Sequence, residues 1–168
     1  MSLLQRAYQT CDEVAMIAFR GSAADVLLPP TSSVQLASVR LRALPTGGRT
    51  PLALALSRAG ALLVQRAPTG QRAAVPTLVL VSDGRANVAL VNGDPFADAL
   101  AQARLLRAAG IGAVVVDTED GPVRLGRARI LALELGAEYM RVADLSAAAP
   151  PDTALAATVR DHPRRLRS

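Results

Sequence analysis

Two short stretches carry residue types that could bind a divalent cation. Thr46 to Leu52 reads Thr-Gly-Gly-Arg-Thr-Pro-Leu, and Thr77 to Asn87 reads Thr-Leu-Val-Leu-Val-Ser-Asp-Gly-Arg-Ala-Asn. The first places a hydroxyl, Thr50, after a glycine pair and before a proline able to open a helix. The second ends an apolar strand on a carboxylate, Asp83, followed by a turn glycine. Both are hard oxygen donors of the kind Mg²⁺ takes in near-octahedral geometry, and small glycines let a loop approach an ion closely. Each also has a plain structural reading. Thr50 suits a helix N-cap with Pro51 at the first helical position, and Ser82-Asp83-Gly84 suits a turn in which the aspartate bonds its own backbone.

Other chemistries find less support. A glycine pair before a helix can bind phosphate, but Gly-Gly-Arg-Thr lacks the Walker spacing and the chain has no lysine. A small hydrolase would have to use Asp83, Asp117 and Glu119 as acids at a sheet rim. Ser82 has no histidine near it in sequence, and His162 lies in a proline- and arginine-rich stretch, so no nucleophile and base pair stands out.

The elements that must position these residues alternate in type. Val14 to Phe19 and Asp25 to Leu28 read as strands of a hairpin turning at Gly21-Ser22 and ending at Pro29-Pro30. Ser33 to Leu44 has the spacing of a short amphipathic helix stopped by Pro45. Leu52 to Val64 reads as a helix. Thr77 to Val81 is continuously apolar, as a strand covered on both faces is in a parallel sheet. Asn92-Gly93-Asp94-Pro95 turns into a helix from about Phe96 to Ala109. Ile111 to Val116 is another buried strand ending on an acid, Asp117. Arg124 to Leu135 reads as a helix closed by Gly136, and Glu138 to Val142 as an edge strand. Met1 to Thr10 has helical spacing without a cap before it. The expected fold is therefore α/β, a doubly wound, mostly parallel open sheet with helices on both faces. In such sheets ligands sit beyond the carboxyl ends of the strands, where Asp83 and Asp117 both fall. Residues 1–146 are expected to form one domain, and the Ala/Pro-rich, then basic, 147–168 a flexible tail.

Composition narrows the function classes. A chain of 168 residues that is 51% hydrophobic can bury a sizeable core. Aromatic residues make up 2%, too few for a base-stacking surface. The formal net charge is +5, and all 19 basic residues are arginines scattered along the elements, which fits GC-rich coding better than a nucleic-acid patch. Neither nucleic acid nor membrane is an expected partner, because the longest apolar runs fall well short of the ~20 residues a membrane helix needs. A lone cysteine, Cys11, allows no internal disulfide and fits a reducing cytoplasm.

Taken together, these words resemble the von Willebrand factor A, or integrin I-like, domain, in the variety that ends the D subunit of magnesium chelatase. The matching stretches are Ser2-Leu-Leu-Gln-Arg-Ala-Tyr8, Val14-Ala-Met-Ile-Ala-Phe-Arg-Gly21, Val26-Leu-Leu-Pro-Pro-Thr31, Leu44-Pro-Thr-Gly-Gly-Arg-Thr-Pro-Leu-Ala53, Leu78-Val-Leu-Val-Ser-Asp-Gly-Arg-Ala-Asn87 and Val116-Asp-Thr-Glu-Asp-Gly-Pro122. They appear in the family's order over about residues 2 to 145. The resemblance implies a metal-ion-dependent adhesion site with ligands from three loops: an Asp-x-Ser-x-Ser motif after the first strand, a threonine and an aspartate. Thr50 and Asp83 match the second and third, and the first motif is absent from the sequence. The family's first strand is central in its sheet, so its loss would leave open edges on the strands at Val14 and Thr77, and Met1 would be an internal start with the missing part encoded upstream.

What the resemblance implies about function is an interaction module. The magnesium chelatase assembly inserts Mg²⁺ into protoporphyrin IX using ATP, with ATPase and porphyrin-binding subunits elsewhere. A cobalt chelatase or another AAA-type ATPase is an equivalent setting for this chain, and a homo-oligomer is a further expectation. Mg²⁺ would sit on Asp83 and Thr50, a partner carboxylate would take the open position, and Arg20, Arg49, Arg85 and Asn87 would line the rim and read the partner. The alternative is an α/β scaffold that binds no metal, with Thr50 as a cap and Asp83 as a turn residue.

Overall fold

A computed structural model describes residues 13–33, 35, 36, 39, 40, 48–65, 76–91, 93–120 and 123–144. The expected helix over 1–10 and the tail from 147 lie outside these residues, as does much of the expected helix over 33–44, whose described positions 35, 36, 39 and 40 are helical.

The chain opens with an antiparallel hairpin, β1 (Val14–Arg20) and β2 (Ala23–Thr31), with Ile17 opposite Val26 and Arg20 opposite Ala23. The turn falls at Gly21, whose φ of 66° suits a residue without a Cβ. The hairpin does not end at Pro29-Pro30, as the sequence suggested. β2 runs on to Thr31 while the register shifts between Val14 and Met16, so that Leu28 and Thr31 face residues two apart on β1. An irregularity of this kind leaves the prolines out of the ladder, and β2 is an edge strand among the described residues, where a missing N–H is tolerated.

Helix α1 (Leu52–Gln65) follows, with Leu52, Ala53, Ala55, Leu56 and Ala59 buried at helical spacing. Then come β3 (Thr77–Ser82), α2 (Pro95–Ala108), β4 (Gly112–Asp117), α3 (Arg127–Leu135) and β5 (Glu138–Arg141). The last three strands make a parallel sheet in the order β3-β4-β5, with Leu80 beside Val115 and Val115 beside Tyr139. All six residues of β4 are buried, as its uninterrupted Gly-Ala-Val-Val-Val-Asp run requires. α2 is capped by Asp94, whose carboxylate accepts the amides of Phe96 and Ala97, with Pro95 in the first turn.

One core joins the three helices to one face of the parallel sheet through Leu56, Leu80, Leu106, Val115, Leu131 and their neighbours, with Phe19 of β1 packed against it. A second cluster, Val114 and Val116 with Val79 and Met140, lies on the opposite face. α3 begins three residues later than the apolar spacing suggested. Gly126 is left-handed (φ 63°) at its N-cap, and the amides of Leu125 and Gly126 are drawn to Glu119 instead of into a helical turn.

The two sheets share no ladder: β1 pairs only with β2 and β3 only with β4 among the described residues. Among the described residues β3 has a ladder partner on one edge only, and on its face Val81 is 56% exposed while its register neighbour Val116 is 3% exposed.

Candidate functional site

The carboxyl ends of β3 and β4 and the loop before α1 converge through the backbone. The Thr50 amide donates to Asn87 Oδ1 at 2.5 Å, and the Asn87 amide donates back to the Thr50 carbonyl at 3.2 Å. Asn87 lies four residues beyond Asp83, so this reciprocal pair ties the threonine loop to the aspartate loop. A third segment joins them where the Gly21 amide donates to the Arg49 carbonyl at 2.9 Å. The hairpin turn, the glycine-pair loop and the end of β3 therefore form one rim.

The Asp83 loop is tightly folded. The Gly84 amide donates to Ser82 Oγ at 3.1 Å, and the Arg85 amide to Asp83 Oδ1 at 2.9 Å. Both are side chain to backbone bonds two residues apart, as the turn reading of this sequence expects. Gly84 has φ 74°, and a Cβ there would overlap the Ala128 nitrogen, so the loop rests directly on the first turn of α3. No larger residue fits without moving that helix.

Of the sequence-selected residues, Thr50 and Asp83 stand on this rim, both half-buried. Among the described residues Thr50 makes its hydrogen bonds through its backbone. Asp83 is partly engaged: the Arg85 Nε lies 3.4 Å from Oδ2. Arg85 thus neutralises the candidate ligand as well as facing solvent, with 59% of its side chain exposed. Arg20 lies along Gly48, and Arg49 is exposed beside it. Asn87 is a bridge between two loops before it is a surface residue.

The donor set suits Mg²⁺ in kind, because a hydroxyl and a carboxylate are both hard oxygens. It is incomplete in number. Among the described residues no group of three or more His, Cys, Asp or Glu side chains gathers to hold a metal. The remaining positions would fall to water and to oxygens from elsewhere.

Asp117, placed at the rim by its position in β4, turns inward. It is 5% exposed; Oδ2 accepts the Tyr139 hydroxyl at 2.6 Å and Oδ1 accepts the Glu119 amide at 2.7 Å. Burial, with the bond to Asp117 second, pushes the Tyr139 phenol up to about 12. Glu119 is equally structural. Its oxygens accept the amides of Leu125 at 2.8 Å and Gly126 at 3.1 Å, and these two bonds hold its carboxyl below the usual range. Neither acid is presented as a hydrolytic group.

Two structural contacts near the site have little sequence signature. Asp98, 3% exposed in α2, accepts the amides of Leu90 at 2.7 Å and Val91 at 2.8 Å. An acid adjoining the buried Ala99, Ala103 and Leu106 stripe is the one signal that could have marked it. Arg127 stacks over Phe96, 5.1 Å from the ring centroid, linking the starts of α2 and α3. No spacing rule reveals that contact.

No family model matches the chain. Among relatives, it is 46% identical to an uncharacterised protein of Mycobacterium tuberculosis, over 88% of this chain and 23% of that protein. It is 44% identical to the magnesium-chelatase 60 kDa subunit of Cereibacter sphaeroides, over 71% of this chain and 22% of the subunit. An uncharacterised protein of Methanocaldococcus jannaschii is 33% identical over 87% of this chain and 83% of its own length. The chain thus spans less than a quarter of the first two relatives. Solved structures agree in fold. A von Willebrand factor type A protein from Catenulispora acidiphila superposes with a TM-score of 0.60 at 16% identity, over 95% of this chain and 37% of that one. The manganese-loaded TRAP protein of Plasmodium vivax gives 0.58 at 21% identity, over 80% and 55%. The ordered motifs, the α/β architecture and these likenesses together make the chain a member of the von Willebrand factor A domains of the magnesium-chelatase type.

Proposed function

We propose that the chain is a protein-interaction module of a chelatase-type assembly, acting in the cytoplasm in tetrapyrrole metallation, with Thr50 and Asp83 as two ligands of an Mg²⁺-dependent adhesion site. The observation that carries this reading is the reciprocal Thr50–Asn87 bond pair, which brings the two candidate ligand loops to one rim. Thr50 keeps its hydroxyl clear of described partners while its backbone is fixed, as a ligand held in place by its surroundings requires. The ion, when bound, supplies a positive centre that a partner carboxylate can complete. Arg20, Arg49, Arg85 and Asn87 surround that position. The edge of β3 that has no partner among the described residues is where a further strand would pair and bring additional oxygens. Other chelatase subunits or an AAA-type ATPase are the partners this reading names.

A second reading has its own observation. Asp83 already accepts the Arg85 amide and faces its guanidinium, so the loop is electrostatically satisfied without a cation. The chain would then be a scaffold that binds partners without metal. Surface plasmon resonance against the AAA-type ATPase subunit of the same genome separates the two. Mg²⁺-dependent binding that Asp83→Ala abolishes supports the adhesion site. Binding that is unchanged by chelator and by Asp83→Ala supports the scaffold.

A further inference from the structure

Behind the threonine loop lies a closed circuit of contacts that runs through one buried acid. Thr50 leads through Pro51 into α1, and α1 packs closely on α2 at Gly60, where an added Cβ would lie 2.8 Å from Leu106 Cδ2. α2 carries Asp98 in its first turn, and Asp98 Oδ2 accepts the amides of both Leu90 and Val91. Just before that pair in the chain, Asn87 returns to Thr50 through the reciprocal bonds. Asn87 is thereby held between two anchors. On one side Ala86 is buried in the core. On the other side the side chains anchor little, because Leu90 is 37% and Val91 79% exposed. Among the described residues, that side is held through its backbone by the Asp98 carboxylate.

An acid is a costly residue for a helix stripe that also buries Ala99, Ala103 and Leu106. At 3% exposure the carboxylate loses most of its hydration, a loss offset where charge-assisted bonds replace the water. An aliphatic side chain would fill the stripe without that cost. Capping does not account for the acid either, since Asp94 already takes the Phe96 and Ala97 amides. Asp98 instead directs its bonds to a loop outside the helix. We propose that Asp98 is the positioning residue of the Thr50 loop: through Leu90, Val91 and Asn87 it fixes where Thr50 stands on the rim relative to Asp83. The two candidate ligands are then backed by different helices, Thr50 by α2 through Asp98 and Asp83 by α3 through Gly84. The purpose of this linkage rests on the adhesion-site reading, while the linkage itself needs no ion.

The test sets Asp98→Asn against Asp94→Ala in the full 168-residue chain. Each weakens a carboxylate's hold on two amides at the start of α2, and only the first of them reaches the loop. Asparagine keeps the volume and one carbonyl acceptor, which should leave the chain folded. Amide hydrogen exchange is read by NMR in chelator. In the native chain the Leu90 and Val91 amides should be protected despite their exposed side chains, and exchange at the rate of an open loop would overturn the proposal without any variant. In Asp98→Asn those two amides should exchange about tenfold faster, as weakened charge-assisted bonds require. The Thr50 amide, which bonds Asn87 Oδ1, should exchange faster with them and shift its resonance. Asp94→Ala should speed Phe96 and Ala97 and leave Thr50 unchanged. Mn²⁺ titration of the same three proteins gives the second readout: affinity about tenfold weaker in Asp98→Asn, the low end of what a lost outer support costs, and native in Asp94→Ala. Thr50 exchange that Asp98→Asn leaves unchanged, or that both variants alter equally, would make Asp98 an ordinary part of the helix start and overturn the proposal. So would faster Thr50 exchange with native Mn²⁺ affinity. A native chain that takes up no Mn²⁺ would sink the adhesion reading instead, and the Thr50 exchange ratio would then decide by itself whether Asp98 positions the loop.

Discussion

Gly84→Ala should be among the most damaging small substitutions in the molecule, for a reason that can be separated into two parts. A left-handed backbone at φ 74° costs an alanine roughly 1–2 kcal/mol. The added Cβ would also overlap the Ala128 nitrogen and lie 2.6 Å from the Arg127 carbonyl carbon and 2.8 Å from the Ala128 Cα. These are backbone atoms of a helix start that cannot rotate away, so the overlap adds about 1–3 kcal/mol. The sum, about 2–5 kcal/mol, corresponds to a fall in thermal midpoint on the order of 10 °C for a chain of this size. Gly93→Ala is the matched control. It has φ 76° and nothing within 4 Å of an added methyl group, so it should show the conformational part alone, roughly 1–2 kcal/mol. Thermal unfolding of both variants by circular dichroism, with amide shifts of Asp83 and Arg85 as a local readout, measures the difference. Equal losses for the two variants would refute the reasoning, because they would mean that the Asp83 loop does not rest on α3.

Asn87→Ala removes the acceptor of the Thr50 amide and should cost about 0.5–1.5 kcal/mol, with the largest amide shift change at Thr50 rather than at its own sequence neighbours. Glu119 has a depressed pKa in the fold, so its contribution is present above the ordinary carboxylate range and is lost as pH falls from about 5 through its lowered folded value. The difference in thermal midpoint between the native chain and Glu119→Gln should therefore shrink on acidification, and a constant difference would contradict the assigned bonds. Tyr139 has the opposite sign: its phenol is raised to about 12, so its contribution is full below about pH 10, the ordinary phenol value, and is lost as pH rises through the raised one. Ultraviolet titration should show a phenolate transition near there that Tyr139→Phe removes.

The sequence was most informative where periodicity and chain punctuation agree. The apolar runs of β3 and β4, the Asp94-Pro95 start of α2 and the Gly136 close of α3 are all legible because local chemistry dictates them. The family resemblance implies that Thr50 and Asp83 share one rim, and the Thr50–Asn87 bonds join the loops that carry them. What escaped the reading depends on long-range bonds. α3 starts at Arg127 because Glu119 captures the two amides before it, and β2 passes Pro29-Pro30 because the register shifts around them. Asp117 looked like a rim acid from its position, yet Tyr139, 22 residues later, draws it inward. A terminal strand residue can face either way, and the partner that decides lies on another strand. Asn87 likewise looked like a surface residue, and its bridging role appears with the fold.

Isothermal titration of the 168-residue chain with Mg²⁺ and Mn²⁺, beside Asp83→Ala and Thr50→Ala, tests the adhesion site most directly. Weak, saturable binding is expected, abolished by Asp83→Ala and weakened by Thr50→Ala. The absence of heat from a folded chain, or equal heats from all three proteins, would contradict the adhesion site and leave the metal-free scaffold.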